Sequence, residues 1–213
     1  MNKLLMAAMT AAVACACSDS ARTPAGPTVY TAPLVIQSAQ PEGIAKNHRT
    51  HLSGDNEVFT PATPTAPTPA DSQGQGQAIF QIAADGQSFD YKLIASNIEN
   101  ATMAHIHCGP AGANGPIIVW LYPNATATAP LPGGAGRHDG VLAEGTIVSG
   151  MALHVRTVPD SAACPGGVSS FADVLAKIRA NNTYVNVHTN DGVDPPNTGP
   201  GDFPGGEIRG QLQ

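Results

Sequence analysis

Short runs in which apolar and polar residues alternate recur along the chain after residue 46. Successive side chains of a β-strand point to opposite faces of its sheet, so this alternation predicts half-buried strands. Glycine, proline, asparagine and aspartate separate the runs, and Asp85-Gly86 is a two-residue hairpin signal between two of them. About eight short strands with these turns predict an all-β fold, an antiparallel β-sandwich or barrel.

One run has the period of a helix instead. Four apolar residues recur at positions i, i+3, i+4 and i+7, which gives a helix one apolar face. Ser170 precedes them, and Asp173 follows three positions later, a spacing similar to a capping box at a helix N-terminus. We therefore predict one late α-helix over residues 170–181, covering one end of the sheet. Its apolar residues are Phe171, Val174, Leu175 and Ile178.

The stretch before this helix is expected to be partly irregular. Residues 123–140 are rich in alanine, threonine, proline and glycine, and they predict an excursion in which His138 is a solvated loop residue. Strands are predicted to resume over residues 141–148 and 151–155. On the second of these, His154 is expected to point away from the apolar side.

The N-terminus has the features of an export signal. A basic start with Lys3 precedes a mainly apolar stretch that is too short to span a bilayer. The small residues before Cys15 resemble a bacterial lipobox, which predicts a signal peptide over residues 1–14 and a lipid on Cys15. The same residues also fit ordinary signal cleavage, which leaves Cys15 unmodified and the protein secreted. Residues 15–46 are then the anchor region and a flexible linker, and residues 47–213 the folded domain.

Charge and composition narrow the range of partners. The formal net charge is −6, with 10 Lys and Arg residues against 16 Asp and Glu residues. This balance lacks the basic surface of a nucleic-acid binder, so we expect no nucleic-acid partner. The export signal predicts a protein of the cell envelope, on the outer surface or in the periplasm, that is lipid-anchored in a membrane or secreted. Its expected partner is an unknown extracellular or cell-surface ligand.

The two cysteines of the folded part, Cys108 and Cys164, have two interpretations. In an exported protein a disulfide between them is the simpler one. In the chain-entropy model, a disulfide that closes the long loop between these two cysteines stabilises the fold by roughly 4 kcal/mol. The alternative is that Cys108 is a metal ligand beside His105 and His107. Strand alternation places Cys108 on the opposite face from both histidines, which favours the disulfide.

The residues with the clearest chemistry lie on two predicted strands. His105 and His107 are two positions apart, so both imidazoles point to one face of their strand. His188 ends a later strand and shares its polar face with Asn186. If these strands are neighbours, three imidazoles converge, and imidazole is a ligand for copper and zinc. Such a site needs ring nitrogens within about 4 Å of one another, because the ligand bonds are near 2 Å.

The alternative is that His105, His107 and His188 have a structural role. They would then hydrogen-bond the loops that cover them, with Asn186 and Glu207 as partners. The sequence contains no G-x-S-x-G, H-E-x-x-H or P-loop motif, so catalysis is not indicated. We therefore predict a binding or structural module rather than an enzyme, with copper or zinc as the cofactor of the metal-binding alternative.

Four segments carry a resemblance to a known family, namely His51–Val58, Ala104–Pro110, Tyr184–Thr189 and Pro204–Leu212. In this order they resemble the chordin-type domain, the CHRD family. The resemblance implies an all-β extracellular domain, found in chordin and in many exported bacterial proteins, and no defined enzymatic activity. In chordin these domains occur in a secreted protein that binds growth factors. The strand-borne His-x-His also resembles the copper-ligand strand of copper/zinc superoxide dismutase, so the metal-binding alternative includes redox activity.

Overall fold

The computed structural model describes residues 47–152, 154–193 and 198–213. The predicted signal peptide, Cys15 and the linker lie outside these residues. Within the described residues there are eight strands, β1 (Asn47–Ser53), β2 (Gln75–Ile82), β3 (Ser88–Glu99), β4 (Ala101–Cys108), β5 (Ile117–Tyr122), β6 (Arg137–Val148), β7 (Thr183–Thr189) and β8 (Ile208–Gln211). They form one sheet in the order β5-β4-β7-β8-β1-β2-β3-β6, and every pair is antiparallel. The two edge strands, β5 and β6, contact each other, so the sheet is a nearly closed barrel.

Burial along the hairpin β2–β3 alternates as the sequence predicts. On β2, Ala78, Phe80 and Ile82 are buried, whereas Gln77 and Gln81 are exposed. Burying one large apolar side chain contributes about 1.5–3 kcal/mol, so the apolar face determines the register of the hairpin. The predicted all-β antiparallel fold with one late helix is therefore confirmed.

The late helix, α1 (Phe171–Arg179), lies inside the predicted range. The Ser170 hydroxyl accepts a hydrogen bond from the backbone N–H of Asp173 at 3.2 Å, an N-cap that stabilises a helix by about 1 kcal/mol. The four apolar residues are buried, and the Phe171 ring stacks on Phe89 of β3 with 5.7 Å between centroids. Within the described ranges, no helix is long and apolar enough to cross a membrane.

Strand β6 begins earlier than predicted. It starts at Arg137 and pairs with the far end of β3, where His138 lies opposite Ile98. The prediction of an irregular excursion is therefore wrong for residues 137–140. Two register shifts in the β3–β6 ladder, with Gly140 at φ 131°, accommodate the glycine-rich sequence inside a strand.

The strand predicted over residues 151–155 is wrong, because the described residues of this segment form turns and bends. Gly150 adopts φ 81°, a left-handed conformation that turns the chain after β6. His154 is buried, and its Nδ1 accepts a hydrogen bond from the backbone N–H of Val148 at 3.0 Å. The side chain of His154 therefore folds back onto the end of β6 instead of extending a new strand.

A disulfide joins Cys108, the last residue of β4, to Cys164 in the segment before α1. The two cysteines are 56 residues apart in sequence, and their Cα atoms are 5.4 Å apart. In the chain-entropy model a bridge over a loop of this length stabilises the fold by roughly 4 kcal/mol. Because its sulfur is bonded to Cys164, Cys108 is not a metal ligand.

Candidate functional site

Strands β4 and β7 are antiparallel neighbours, which brings the three histidines named from the sequence together. In their shared ladder, His105 lies opposite Asn186, and His188 lies opposite Met103. The centroids of the His105 and His107 rings are 5.4 Å apart, and those of the His105 and His188 rings are 5.1 Å apart. The three imidazoles therefore form one cluster, which we call the histidine cluster.

The ring nitrogens of the histidine cluster are close to the spacing of a metal site. One nitrogen from each ring lies within 4.8 Å of one from each of the others. His105 Nδ1 and His188 Nε2 are 3.3 Å apart, inside the predicted limit of about 4 Å. An ion held by all three nitrogens needs every pair of them within about 4 Å, and one pair is within that limit.

Two loops cover the face on which the histidines lie. The Gly115 carbonyl accepts a hydrogen bond from His107 Nδ1 at 2.8 Å, and the Pro204 carbonyl accepts one from His188 Nδ1 at 2.8 Å. Because a carbonyl oxygen only accepts, both Nδ1 atoms carry the proton of a neutral ring. Each Nε2 atom is left with a lone pair, and both of these atoms lie in the histidine cluster.

The lone pairs meet in a buried space that is rich in acceptors. His188 Nε2 lies 3.0 Å from Asn186 Oδ1 and 3.3 Å from His105 Nδ1. A neutral His105 can donate its Nδ1 proton to His188, but the Asn186 oxygen then still faces the lone pair of His188. Among the described residues, the buried His107 Nε2 and His105 Nε2 have no hydrogen-bond partner. A buried group of acceptors with fewer protons than lone pairs matches the chemistry of a cation site.

Burial keeps all three imidazoles neutral. Desolvation lowers the pKa of His105 to about 2 and the pKa of His107 to about 3, and the positive form of His188 adds to both shifts. Desolvation also lowers the pKa of His188 to about 4, against a smaller opposing effect of the Pro204 carbonyl. The rings are therefore unprotonated at neutral pH, which is the form that ligates metals.

Tyr184 and Arg209 bound the histidine cluster at His107. The Tyr184 ring stacks on the His107 ring with 4.7 Å between centroids. The Arg209 guanidinium carbon lies 3.4 Å from the centre of the Tyr184 ring, a cation–π contact. Arg209 also donates to the Ala113 carbonyl at 2.8 Å. It therefore fastens the loop between β4 and β5 over the histidines.

Trp120 and Arg156 bound the cluster at His105. The Trp120 ring meets the His105 ring edge-on, with 4.2 Å between centroids. The Arg156 guanidinium carbon lies 5.2 Å from the centre of the Trp120 ring, and its charge lowers the pKa of His105 further. On two sides of the histidine cluster, therefore, an aromatic ring contacts an imidazole and a guanidinium group contacts that aromatic ring.

Glu57 and Arg209 are site residues that the sequence reasoning missed. Burial raises the pKa of Glu57 to about 7, while Arg209 and Asn186 act in the opposite direction. Both residues line a polar surface groove. The sequence pattern could have indicated Arg209, because residues two positions apart on a strand share a face and Arg209 therefore lies on the same face as Glu207. Glu57 follows a short 3₁₀ turn over Gly54–Asn56, where no period marks a face.

The predicted partnership of Glu207 with the histidines is wrong. Its buried carboxylate instead accepts hydrogen bonds from the Thr189 hydroxyl at 2.6 Å, the Gly201 backbone N–H at 2.9 Å and the Ser72 hydroxyl. These contacts fasten the loop that carries Pro204. The carboxylate faces this loop rather than the imidazoles, so Glu207 acts on the histidine cluster only through its cover.

Comparison with known proteins agrees with this architecture. No match to the chain is found among curated proteins or among solved structures. The family model described as the CHRD domain matches residues 49–212, a range that includes all three histidines of the cluster and both disulfide cysteines. The chain therefore belongs to the CHRD domain family.

Proposed function

We propose that this chain is an exported module of the cell envelope that acts by binding, and that a lipid on Cys15 tethers it to a membrane. The observation that supports export best is the disulfide between Cys108 and Cys164, because disulfides persist in oxidising compartments outside the cytosol. The signal peptide predicted over residues 1–14 points the same way. Membership of the CHRD family supports an extracellular-type module without catalytic activity.

Fractionation of a bacterium that expresses the chain during growth on labelled palmitate tests export and anchoring together. We expect the chain in the membrane fraction, carrying label, and released only by detergent. The Cys15→Ser variant is expected to lose the label and to move to the soluble exported fraction. A chain that stays in the cytosol contradicts export. An exported chain without label contradicts the lipid anchor alone.

We further propose that the module binds copper or zinc through His105, His107 and His188. The supporting observation is the convergence of three imidazoles in a buried space, where ring nitrogens are left without a hydrogen-bond partner among the described residues. Backbone carbonyls accept hydrogen bonds from Nδ1 of two of the rings, and such bonds orient metal-bound histidines in other proteins. His105 would ligate through Nδ1, and its proton would move to Nε2.

Metal content per chain tests this second function against a structural role of the histidines. The full chain, with Cys15→Ser and Cys17→Ser to remove the N-terminal thiols, is dialysed with copper and zinc, freed of unbound ions and measured by plasma mass spectrometry. We expect about one ion per chain. The His107→Ala variant is expected to lose it, and His51→Ala, an exposed histidine on β1, to keep it. A chain with native circular dichroism and no retained metal contradicts the proposal.

A further inference from the structure

We infer that the histidine cluster takes copper in its monovalent state in preference to divalent zinc. This inference rests on the proposed metal site and adds the identity and the charge of its ion. Three features carry it: the charge of the ligands, the charges around them, and the number of ligands that the cluster offers.

The ligands that converge on the cluster are uncharged. They are three imidazoles, and the amide oxygen of Asn186 beside them is also uncharged. In the part of the chain that the structure describes, no carboxylate or thiolate joins the histidines at ligand spacing, and Cys108 is bonded to Cys164. Because none of these ligands is charged, none of them neutralises the charge of a bound ion. The cost of desolvating an ion rises with the square of that charge, which penalises zinc.

Two guanidinium groups add to this cost. Arg209 lies against the ring of Tyr184, which stacks on one histidine of the cluster. Arg156 lies over the ring of Trp120, which meets a second histidine. Arg209 is only 2% exposed, so solvent screens it weakly. The carboxylate of Glu57 interacts with Arg209, so it offsets at most one of the two positive charges. A monovalent ion meets half the repulsion that a divalent ion meets at the same place.

The number of ligands favours the same ion. Zinc in proteins is four-coordinate, and a zinc site with three protein ligands keeps an open position for water. Here His105 is 0% exposed, and two loops cover the other rings, which are 7% and 6% exposed. Imidazole suits copper and zinc alike, so the type of ligand does not separate them, whereas monovalent copper needs no fourth ligand. A covered set of three imidazoles therefore satisfies copper more completely than zinc.

Competition titration of the full chain tests the preference. The chain carries Cys15→Ser and Cys17→Ser, so that no thiol near the N-terminus binds copper. Ascorbate under nitrogen keeps copper monovalent, with bicinchoninate as the competing chelator, and pyridylazoresorcinol competes for zinc. We expect one monovalent copper per chain, bound more tightly than zinc by at least one order of magnitude, the factor that about 1.4 kcal/mol gives. The same titrations on His107→Ala are expected to show no binding, and those on His51→Ala to be unchanged.

The outcomes separate this inference from the proposed metal site. Zinc bound as tightly as copper, and lost in His107→Ala, overturns the preference and leaves the metal site standing. Binding of neither ion by a chain with native circular dichroism overturns both proposals. Copper binding that persists unchanged in His107→Ala places the ion elsewhere and also overturns both.

Discussion

The hairpin β2–β3 and the pair β4–β7 look alike in sequence, since all four strands alternate apolar with polar residues. In β2 the polar positions Gln77 and Gln81 are exposed. In β7 every residue from Thr183 to Thr189 is buried, and the polar face of the pair β4–β7 lies under two loops. The same alternation therefore describes a water-facing sheet in one region and a covered polar site in the other.

The difference teaches that alternation identifies the face of a side chain and leaves open whether water reaches that face. On a face that is open to water, polar side chains need no partner in the protein, because water supplies their hydrogen bonds. A covered one requires a partner for each buried polar atom, because an unpaired buried group costs roughly 1–3 kcal/mol. The histidine cluster leaves Nε2 of His107 and of His105 unpaired among the described residues, and the hairpin has no counterpart to this. The predictions below follow from that contrast, from the largest expected effect to the smallest.

The largest expected effect is a loss of stability on acidification. Below the ordinary pKa of 6.5, the unfolded chain binds protons at three histidines that the folded chain keeps neutral. The free energy of unfolding therefore falls as the pH drops from 6.5 towards 4, on the order of 1 kcal/mol per pH unit for each histidine. Glu57, with its pKa raised to about 7, stays protonated in the folded state and offsets part of this between pH 7 and 4.5.

Urea denaturation of the metal-free chain between pH 7 and pH 4.5 measures this slope. The variant His51→Ala, at an exposed position, is expected to keep it. A free energy of unfolding that does not change across this range would show that the cluster is protonated or exposed to water when folded.

On the apolar side of the comparison, Phe80→Ala is expected to destabilise the chain by about 3–5 kcal/mol. Phe80 is 1% exposed and contacts Phe89 across the hairpin, so the change removes buried area and leaves a cavity. Its neighbour Gln81, on the water-facing side of the same strand, is the control. Gln81→Ala should change the free energy of unfolding by less than about 0.5 kcal/mol. Comparable losses in the two variants would contradict the one-sided burial of the hairpin.

On the polar side, Asn186→Ala should cost about 1–3 kcal/mol, because it removes a buried amide that hydrogen-bonds the side chain of Glu57. The matched change on the hairpin is Asp90→Ala, which removes an exposed hydrogen bond from Thr146. It should cost less than about 1 kcal/mol, since water replaces the lost partner. Equal costs in urea denaturation would mean that the loops do not exclude water from the polar face of β7.

The smallest expected effect belongs to the ion pair between Lys92 and Glu144 on the outer face of β3 and β6. Their side chains are 47% and 60% exposed. Lys92→Ala should change stability by less than about 1 kcal/mol, and high salt should remove even that. A larger loss at 1 M salt would indicate a role for Lys92 beyond this exposed pair.

Much of this molecule follows from local sequence pattern. Period two predicts the hairpin β2–β3 and the shared direction of His105 and His107, and the spacing of four apolar residues predicts α1. The resemblance to the CHRD family additionally predicts which part of the chain forms the domain. These features depend on residues within one strand, one turn or one helix.

What the sequence does not reveal depends on contacts between distant segments. β6 begins at Arg137 because the long strand β3 offers it a partner at Glu99. The described residues of the segment 151–155 form turns and a bend, and His154 accepts a hydrogen bond from the end of β6. The cover of the histidine cluster comes from two loops, one after β4 and one before β8. Arg209 fastens the first of them, and Glu207 the second.

The most direct test of the central claim, that the covered face of β4–β7 is a metal site, is anomalous diffraction at the copper edge from crystals grown with copper. We predict a single strong peak bounded by His105 Nδ1, His107 Nε2 and His188 Nε2, about 2 Å from each. A well-ordered cluster without a peak, in which His105 Nδ1 still donates to His188 Nε2, would contradict the claim and leave the histidines a purely structural role.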